Sequence, residues 1–357
     1  MLTLTLIILL SIAVVVYRFI VINSSLQNHH DHAFGDAKAP TNTTGQPTIE
    51  PLPNFNFAET APLPYRPFQN KRHVAIGITK MPKSEWIRMD KGYLARIEQR
   101  KQVMREHGNE AVGCGPLVDP AIEELFQEIM VDYLPKRYPT MFSLRGTTLH
   151  NKATGGHYQV DIKDHATMLR YLGENVEEDF YIMCPDEEDE IRLQGYIGCF
   201  PGGFLPSSRI GQSMREIHAP VPGFEERIGK GADRALKRLE PENFIERFNW
   251  SLQTDGPDLF RVDGNNFYPE QGQSALLLQQ IIIDNCWLRV EHQTLCRLPK
   301  TRAVIFCVRS YMTTLHDIKA EGNGPLLADA FESMPHKLGD YKKTPFWGET
   351  VYRFLRS

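Results

Sequence analysis

The sequence lacks the signatures by which most enzymes announce themselves. It has no G-x-G-x-x-G after a strand-like run, no P-loop, no G-x-S-x-G, no H-E-x-x-H and no protein-kinase set, which removes the common dinucleotide, nucleotide-triphosphate, serine-hydrolase and zinc-protease routes. Cysteine is sparse. The six residues (Cys114, Cys184, Cys199, Cys286, Cys296 and Cys307) are scattered singly, and no C-x-x-C occurs. Neither a zinc knuckle nor a thioredoxin-type site is therefore expected. Single thiols within apolar runs are expected to be buried and free, as in a reducing compartment. The net charge is only −4 over 357 residues, and no basic cluster is interleaved with aromatics, so nucleic acid is not expected as a partner. The three N-x-S/T tripeptides, at Asn23, Asn42 and Asn249, are weak signals. The third lies in R-F-N-W-S-L, a segment expected to be buried and a poor glycan acceptor.

No Lys or Arg precedes the first apolar run, Leu2 to Tyr17, which Phe19 to Ile22 extends past Arg18. Roughly 20 such residues cross a hydrocarbon core of about 30 Å. Without a basic n-region or an A-x-A site, residues 1–22 are expected to be an uncleaved membrane anchor rather than a signal peptide. Arg18 on its C-terminal side favours a cytosolic body, which fits an endoplasmic-reticulum membrane. Residues 23–66 are rich in Pro, Asn, Thr and His and are expected to be a disordered linker. His29, His30 and His32 fall within it. The globular domain is expected over residues 67–357, long enough for a large core.

Helices are expected from about Tyr93 to Glu106 and after Asp119-Pro120, with Asp as N-cap and the stop before Pro135. Others are expected at Asp164–Tyr171, Phe224–Leu239 and Pro325–Ser333, and at the C-terminus. Strands are expected at Val74–Ile78, Asp179–Cys184 and Ile191–Phe200, with the acidic run Asp186–Asp189 as a solvated hairpin tip. The most informative stretch is Trp287 to Tyr311, which reads as two strands joined at Pro299-Lys300-Thr301. Alternation puts Arg289, Glu291, Gln293 and Arg297 on one side of the first arm. Buried charges must be paired or face something charged, so this stripe is either solvated or a pocket wall. Helices followed by a mainly antiparallel β region indicate an α+β fold.

Among the histidines, His218 stands out. It ends an apolar stretch and precedes Ala219-Pro220-Val221-Pro222. Two prolines stiffen that segment, so a ligating histidine there would lose little entropy on binding. His157, in a Gly-rich loop, His165, on the first turn of a helix, and His292, on the apolar parity of its strand, are rivals. Arg289, Arg297, Arg309 and Arg247 are candidates to pair with carboxylates or propionates, because a guanidinium gives a bidentate fork.

Taken together, W-I-R-M-D-K-G-Y (86–93), I-H-A-P-V-P-G-F (217–224), R-F-N-W-S-L (247–252) and the hairpin 288–311 resemble the haem-dependent oxidative N-demethylase family, over about residues 65 to 345. The family pattern has arginine where this chain has His292 and Cys296. The resemblance implies a b-type haem in a PAS-like α+β domain, with His218 as axial ligand and Arg247, Arg297 and Arg309 beside the haem. It makes Arg289, Glu291 and Gln293 a candidate catalytic wall. It also implies a small amine or metabolite substrate and electrons from NADPH through a separate reductase. Two other functions fit the sequence: a non-catalytic PAS-like haem sensor or carrier, and a membrane-anchored glycosyltransferase.

Overall fold

A computed structural model describes residues 48–66, 77–241, 243–263, 265–267 and 281–357. The expected anchor and most of the expected linker lie outside these residues. Among them, no helix is long and apolar enough to cross a membrane. The described residues form ten strands: β1 (Thr79–Met81), β2 (Val112–Cys114), β3 (Phe142–Arg145), β4 (Thr148–Asn151), β5 (Gly156–Gln159), β6 (Asp179–Pro185), β7 (Ile191–Ile197), β8 (Phe244–Gln253), β9 (Trp287–Arg297) and β10 (Val304–Thr314). Seven make one antiparallel sheet in the order β1-β8-β9-β10-β6-β7-β2, and β3-β4-β5 make a second. With the surrounding helices the fold is α+β.

The expected hairpin is the centre of the large sheet. β9 and β10 pair from Val304↔Arg297 to Thr314↔Trp287. The turn is fixed from outside: the Glu124 carboxylate accepts the amides of Lys300 and Thr301 and the Thr301 hydroxyl, each at 2.7 Å. Register then divides the side chains into two faces. One face carries Leu288, Val290, His292, Thr294 and Cys296. Towards its β6 side it packs on Trp86, Phe180, Ile182 and the helices Tyr93–His107 and Asp119–Phe126. Its other end packs on Leu327, Phe331, Trp347 and Val351 from the C-terminal helices. The other face carries Arg289, Glu291, Gln293, Leu295 and Arg297. Its apolar part, Leu295 with Ile245, Tyr181, Leu193 and Val304, is covered by Leu236, Leu239, Met214 and Ile217 from the long β7–β8 connection.

Several expectations are corrected. The helix beginning at Asp119 does not stop before Pro135. It widens into a π-helix over Gln127–Tyr133 and resumes as Leu134–Arg137. Pro135 falls just after the π-helical segment, near the start of that last piece. Residues 48–66, expected as linker, lie on the body. Ile49, Leu52, Phe55 and Phe57 pack against the core, the Leu52 amide donates to the Arg137 carbonyl at 2.8 Å, and Tyr65 stacks on Phe248 with ring centroids 3.9 Å apart. The expected strand at Val74–Ile78 lies mostly outside the described residues. Five of the six cysteines are buried and all are free.

Two of the four candidate arginines are held by partners within the protein. Arg297 is a helix cap. Its guanidinium donates to the carbonyls of Leu236, Leu239 and Arg302 at 2.6–2.7 Å, closing the C-terminal end of the helix Lys230–Lys237, where orphan carbonyls need donors. Arg309 pairs with His292 in register and so lies on the opposite face from Gln293. It is the hub of a buried acidic cluster, bonding Asp90 at 2.6 Å and Glu177 at 2.7 Å, with Glu178 at 3.7 Å and a further bond to the Arg88 carbonyl. Burial works against its charge, but Glu177, Tyr311, Glu178 and Asp90 together raise its pKa. His292 is a core histidine, as expected, and bonds Glu246 at 2.7 Å.

Within this cluster, burial lifts the Glu177 carboxyl from 4.5 to about 7; Arg309 opposes the shift, and Asp90 and Glu178 add to it. The folded state therefore holds a proton that the unfolded chain releases between these values, and stability falls as pH rises from about 4.5 to about 7. Glu177→Gln should flatten that slope in urea unfolding followed from pH 5 to 8. Parallel wild-type and variant slopes would refute the assignment.

Candidate functional site

The site lies on the Arg289–Glu291–Gln293 face, beneath the connection from β7 to β8. That connection is placed by a capped helix. Ser213 and Glu216 form a reciprocal capping box at the start of Met214–His218, which satisfies two otherwise unpaired amide donors. Glu216 also bonds Arg192 at 3.0 Å, and Arg192 bonds Asp186 at 2.8 Å and Glu190. The acidic tip expected to be merely solvated is thus tied to this helix.

His218 closes the helix. The segment was expected to be pre-extended. Instead, Ala219 stays in the αR region and the Val221 amide folds back onto the His218 carbonyl at 2.9 Å. The His218 ring stacks on Phe224, centroids 4.7 Å apart and 15° from parallel. Nδ1 lies 2.9 Å from the Met214 carbonyl. A carbonyl only accepts, so Nδ1 carries the proton and Nε2 presents its lone pair. No bond to Nε2 is present among the described residues. Burial, with the nearby charges of Arg247 and Arg209, lowers the ring's pKa against the opposing pull of the Met214 carbonyl. The imidazole is therefore held neutral, in one tautomer, with its donor nitrogen available. That is the state a metal ligand needs, including the hydrogen bond that orients the ring.

Facing this helix is a polar ladder across β8 and β9, whose register pairs Arg247 with Gln293 and Asn249 with Glu291. Arg247 Nη1 donates to Gln293 Oε1 at 2.5 Å, Gln293 Nε2 to Glu291 Oε2 at 3.0 Å, and Asn249 Nδ2 to the same oxygen at 3.2 Å. Glu291 Oε1 lies 3.5 Å from Arg289 Nε. Arg289 is fully buried and anchors the ladder, donating to the Phe200 carbonyl at 2.6 Å, to Ser310 Oγ at 3.2 Å and to the Leu259 carbonyl at 3.4 Å. A Cβ at Gly202 would stand 2.5 Å from Glu291 Oε1, so a side chain there would displace that carboxylate.

The structure thus brings Arg247, Arg289, Glu291 and Gln293 to one face, with the His218 ring within electrostatic reach of Arg247. Arg297 lies on the same face but in its helix cap, and Arg309 on the other. The rivals are elsewhere: His165 pairs with Asp119 and Glu123, and His157, expected in a turn, is in β5 opposite His150. A cleft of about 690 Å³ lined by Tyr65, Arg96, Glu177, Arg309 and Tyr311 adjoins the acidic cluster and includes neither His218 nor Arg247. Two site residues were missed. Asn249 was considered only as a glycan acceptor, although alternation in R-F-N-W-S-L already aligns it with Arg247. Lys342 had no sequence signal. Its ammonium donates to the Trp250 carbonyl at 2.6 Å. Burial lowers its pKa to about 8, with Glu291 opposing and Arg247 adding to the shift.

The site face thus holds a fixed, neutral histidine with an open nitrogen and a ladder of hydrogen-bonded polar side chains. A family model described as haem-dependent oxidative N-demethylase, alpha subunit-like, matches residues 77–352 and so takes in every residue of this face. By that match over most of its length, the chain belongs to the haem-dependent oxidative N-demethylase alpha-subunit-like family.

Proposed function

We propose that this chain is a haem-dependent oxidoreductase that removes a methyl group from a small amine or tailors a metabolite, in a PAS-like domain holding haem b. The observation that carries the proposal is His218, neutral and oriented by Met214, with Nε2 directed by its tautomer to accept a metal. The residues present fit the group: His218 would hold the iron, and Arg247 would offer its fork to a propionate. Haem, when bound, supplies dioxygen binding and one-electron chemistry.

The chain's own residues then have separable roles. Glu291 presents a carboxylate to a cationic amine, which favours the protonated substrate electrostatically. Gln293 and Asn249 hold Glu291 Oε2 in place, and Arg289 fixes the ladder from below. With no flavin, nicotinamide or iron–sulfur signature of its own, the chain is proposed to take electrons from NADPH through a separate reductase. Attachment to the endoplasmic-reticulum membrane through residues 1–22, with the body in the cytosol, is part of the same proposal and would bring it to such a partner. A non-catalytic haem sensor or carrier would use the same ligand but not the Glu291 ladder.

The full chain loaded with haem should show a Soret band. His218→Ala should abolish or shift it, whereas Arg297→Lys, at the helix cap, should leave its position unchanged. A Soret band identical in wild type and His218→Ala would refute the ligand. With reductant, dioxygen and a methylated amine, Glu291→Gln should keep the Soret band and lower formaldehyde release by about 10²-fold or more. Unchanged release would remove Glu291 from the chemistry, and no release from wild type would favour the sensor.

A further inference from the structure

The small sheet β3-β4-β5 carries chemistry that the haem site does not use. Its register places Ser143 opposite His150 and His150 opposite His157, one row across three strands. The two imidazoles are direct cross-strand neighbours, ring centroids 4.5 Å apart and tilted by 55°. His157 is exposed and His150 partly so. No ring nitrogen of either is hydrogen-bonded to another described residue. The Ser143 hydroxyl ends the same row, buried and without a partner. Three polar side chains stand in line with no partner within the described protein, whereas Asn151 of the same sheet bonds Tyr93 and Asn175 at 2.8 and 2.9 Å, and Gln159 bonds Thr147 at 3.2 Å.

We propose that His150 and His157 bind one borderline divalent transition-metal ion, of the Zn²⁺, Ni²⁺ or Cu²⁺ class, with one ring nitrogen each. Directly opposed strand residues have Cβ atoms about 5 Å apart, which lets two imidazoles reach one ion at the usual metal–nitrogen distance of about 2.0–2.1 Å. Water completes the coordination. The strands hold both rings before the ion arrives, so little ordering entropy is lost on binding. Arg145 ends the strand that carries Ser143. Arg145 also opposes the ion's charge, so the site should rank metals by ligand preference, with Cu²⁺ bound most tightly.

The test uses the full chain with His29, His30 and His32 changed to alanine, because those residues could chelate metal independently. Titration with Cu²⁺, Ni²⁺ and Zn²⁺ should show one equivalent bound, with nitrogen hyperfine structure in the Cu²⁺ resonance spectrum. Losing an outer-shell partner already costs roughly tenfold in metal affinity, so His150→Ala and His157→Ala should each cost at least that, and the double variant should not bind. Metal should also raise the melting temperature of the parent but not of the double variant. Because the imidazoles bond nothing else in the described structure, His157→Gln should melt like the parent without metal, which separates loss of binding from loss of fold. Equal stoichiometry and affinity in the parent and the double variant would overturn the proposal.

Discussion

A charged side chain on a central strand cannot be left alone, and this requirement shapes the molecule. β9 points Arg289, Arg297, Glu291 and His292 into the interior, where the effective penalty is several kcal/mol per unpaired ion. Each has partners. Arg289 holds the carbonyls of Phe200 and Leu259; Arg297 holds those of Leu236, Leu239 and Arg302; His292 holds Glu246. These carbonyls belong to segments outside the sheet ladder, which must lie where the guanidinium groups can reach them. The path of the chain around Phe200, Leu239 and Leu259 is thus set by β9 as much as by local propensity.

The two faces satisfy their arginines differently, with an electrostatic consequence. On the core face, Arg309 lies among the carboxyl groups of Asp90, Glu177 and Glu178. On the site face, Arg289 and Arg297 are bonded mainly by carbonyl dipoles, which satisfy donors without cancelling charge. Arg247 and Lys342 add two more cations, against Glu291 as the carboxylate within the ladder. A face built this way favours a bound anion, as the propionates of a haem would be. Arg247 also adds to the effect of burial in disfavouring a proton on the His218 ring.

Much of this was legible in the sequence. Alternation alone gave the Arg289–Glu291–Gln293 stripe and placed His292 behind it. It did not place Arg309, because the face of a second strand follows from register, and register depends on where the turn closes. The turn pairs Val304 with Arg297, so Arg309 falls opposite His292. The capping role of Arg297 needs a helix end some 60 residues earlier in the chain, which no local pattern contains. The short helix under His218 was readable as Ser213-x-x-Glu216, but the prolines after it suggested an extended segment. Composition misled at residues 48–66, where a few apolar side chains at suitable spacing dock a Pro-rich stretch onto the core.

The strand that carries Arg247 and Asn249 is held less symmetrically than its neighbours. β1 covers only Phe244 to Glu246 of β8, and beyond that, among the described residues, no strand lies on its outer edge. An open edge twists and frays more easily than a paired one. Two distant contacts hold it: Tyr65 stacks on Phe248, and Lys342 donates to the Trp250 carbonyl. An amine donates a hydrogen bond whether or not it is protonated, so the Lys342 contact survives its own titration near pH 8. The geometry of the Arg247–Gln293–Glu291 ladder therefore depends on the N-terminal segment and the C-terminal helices, neither of which contributes a ladder residue.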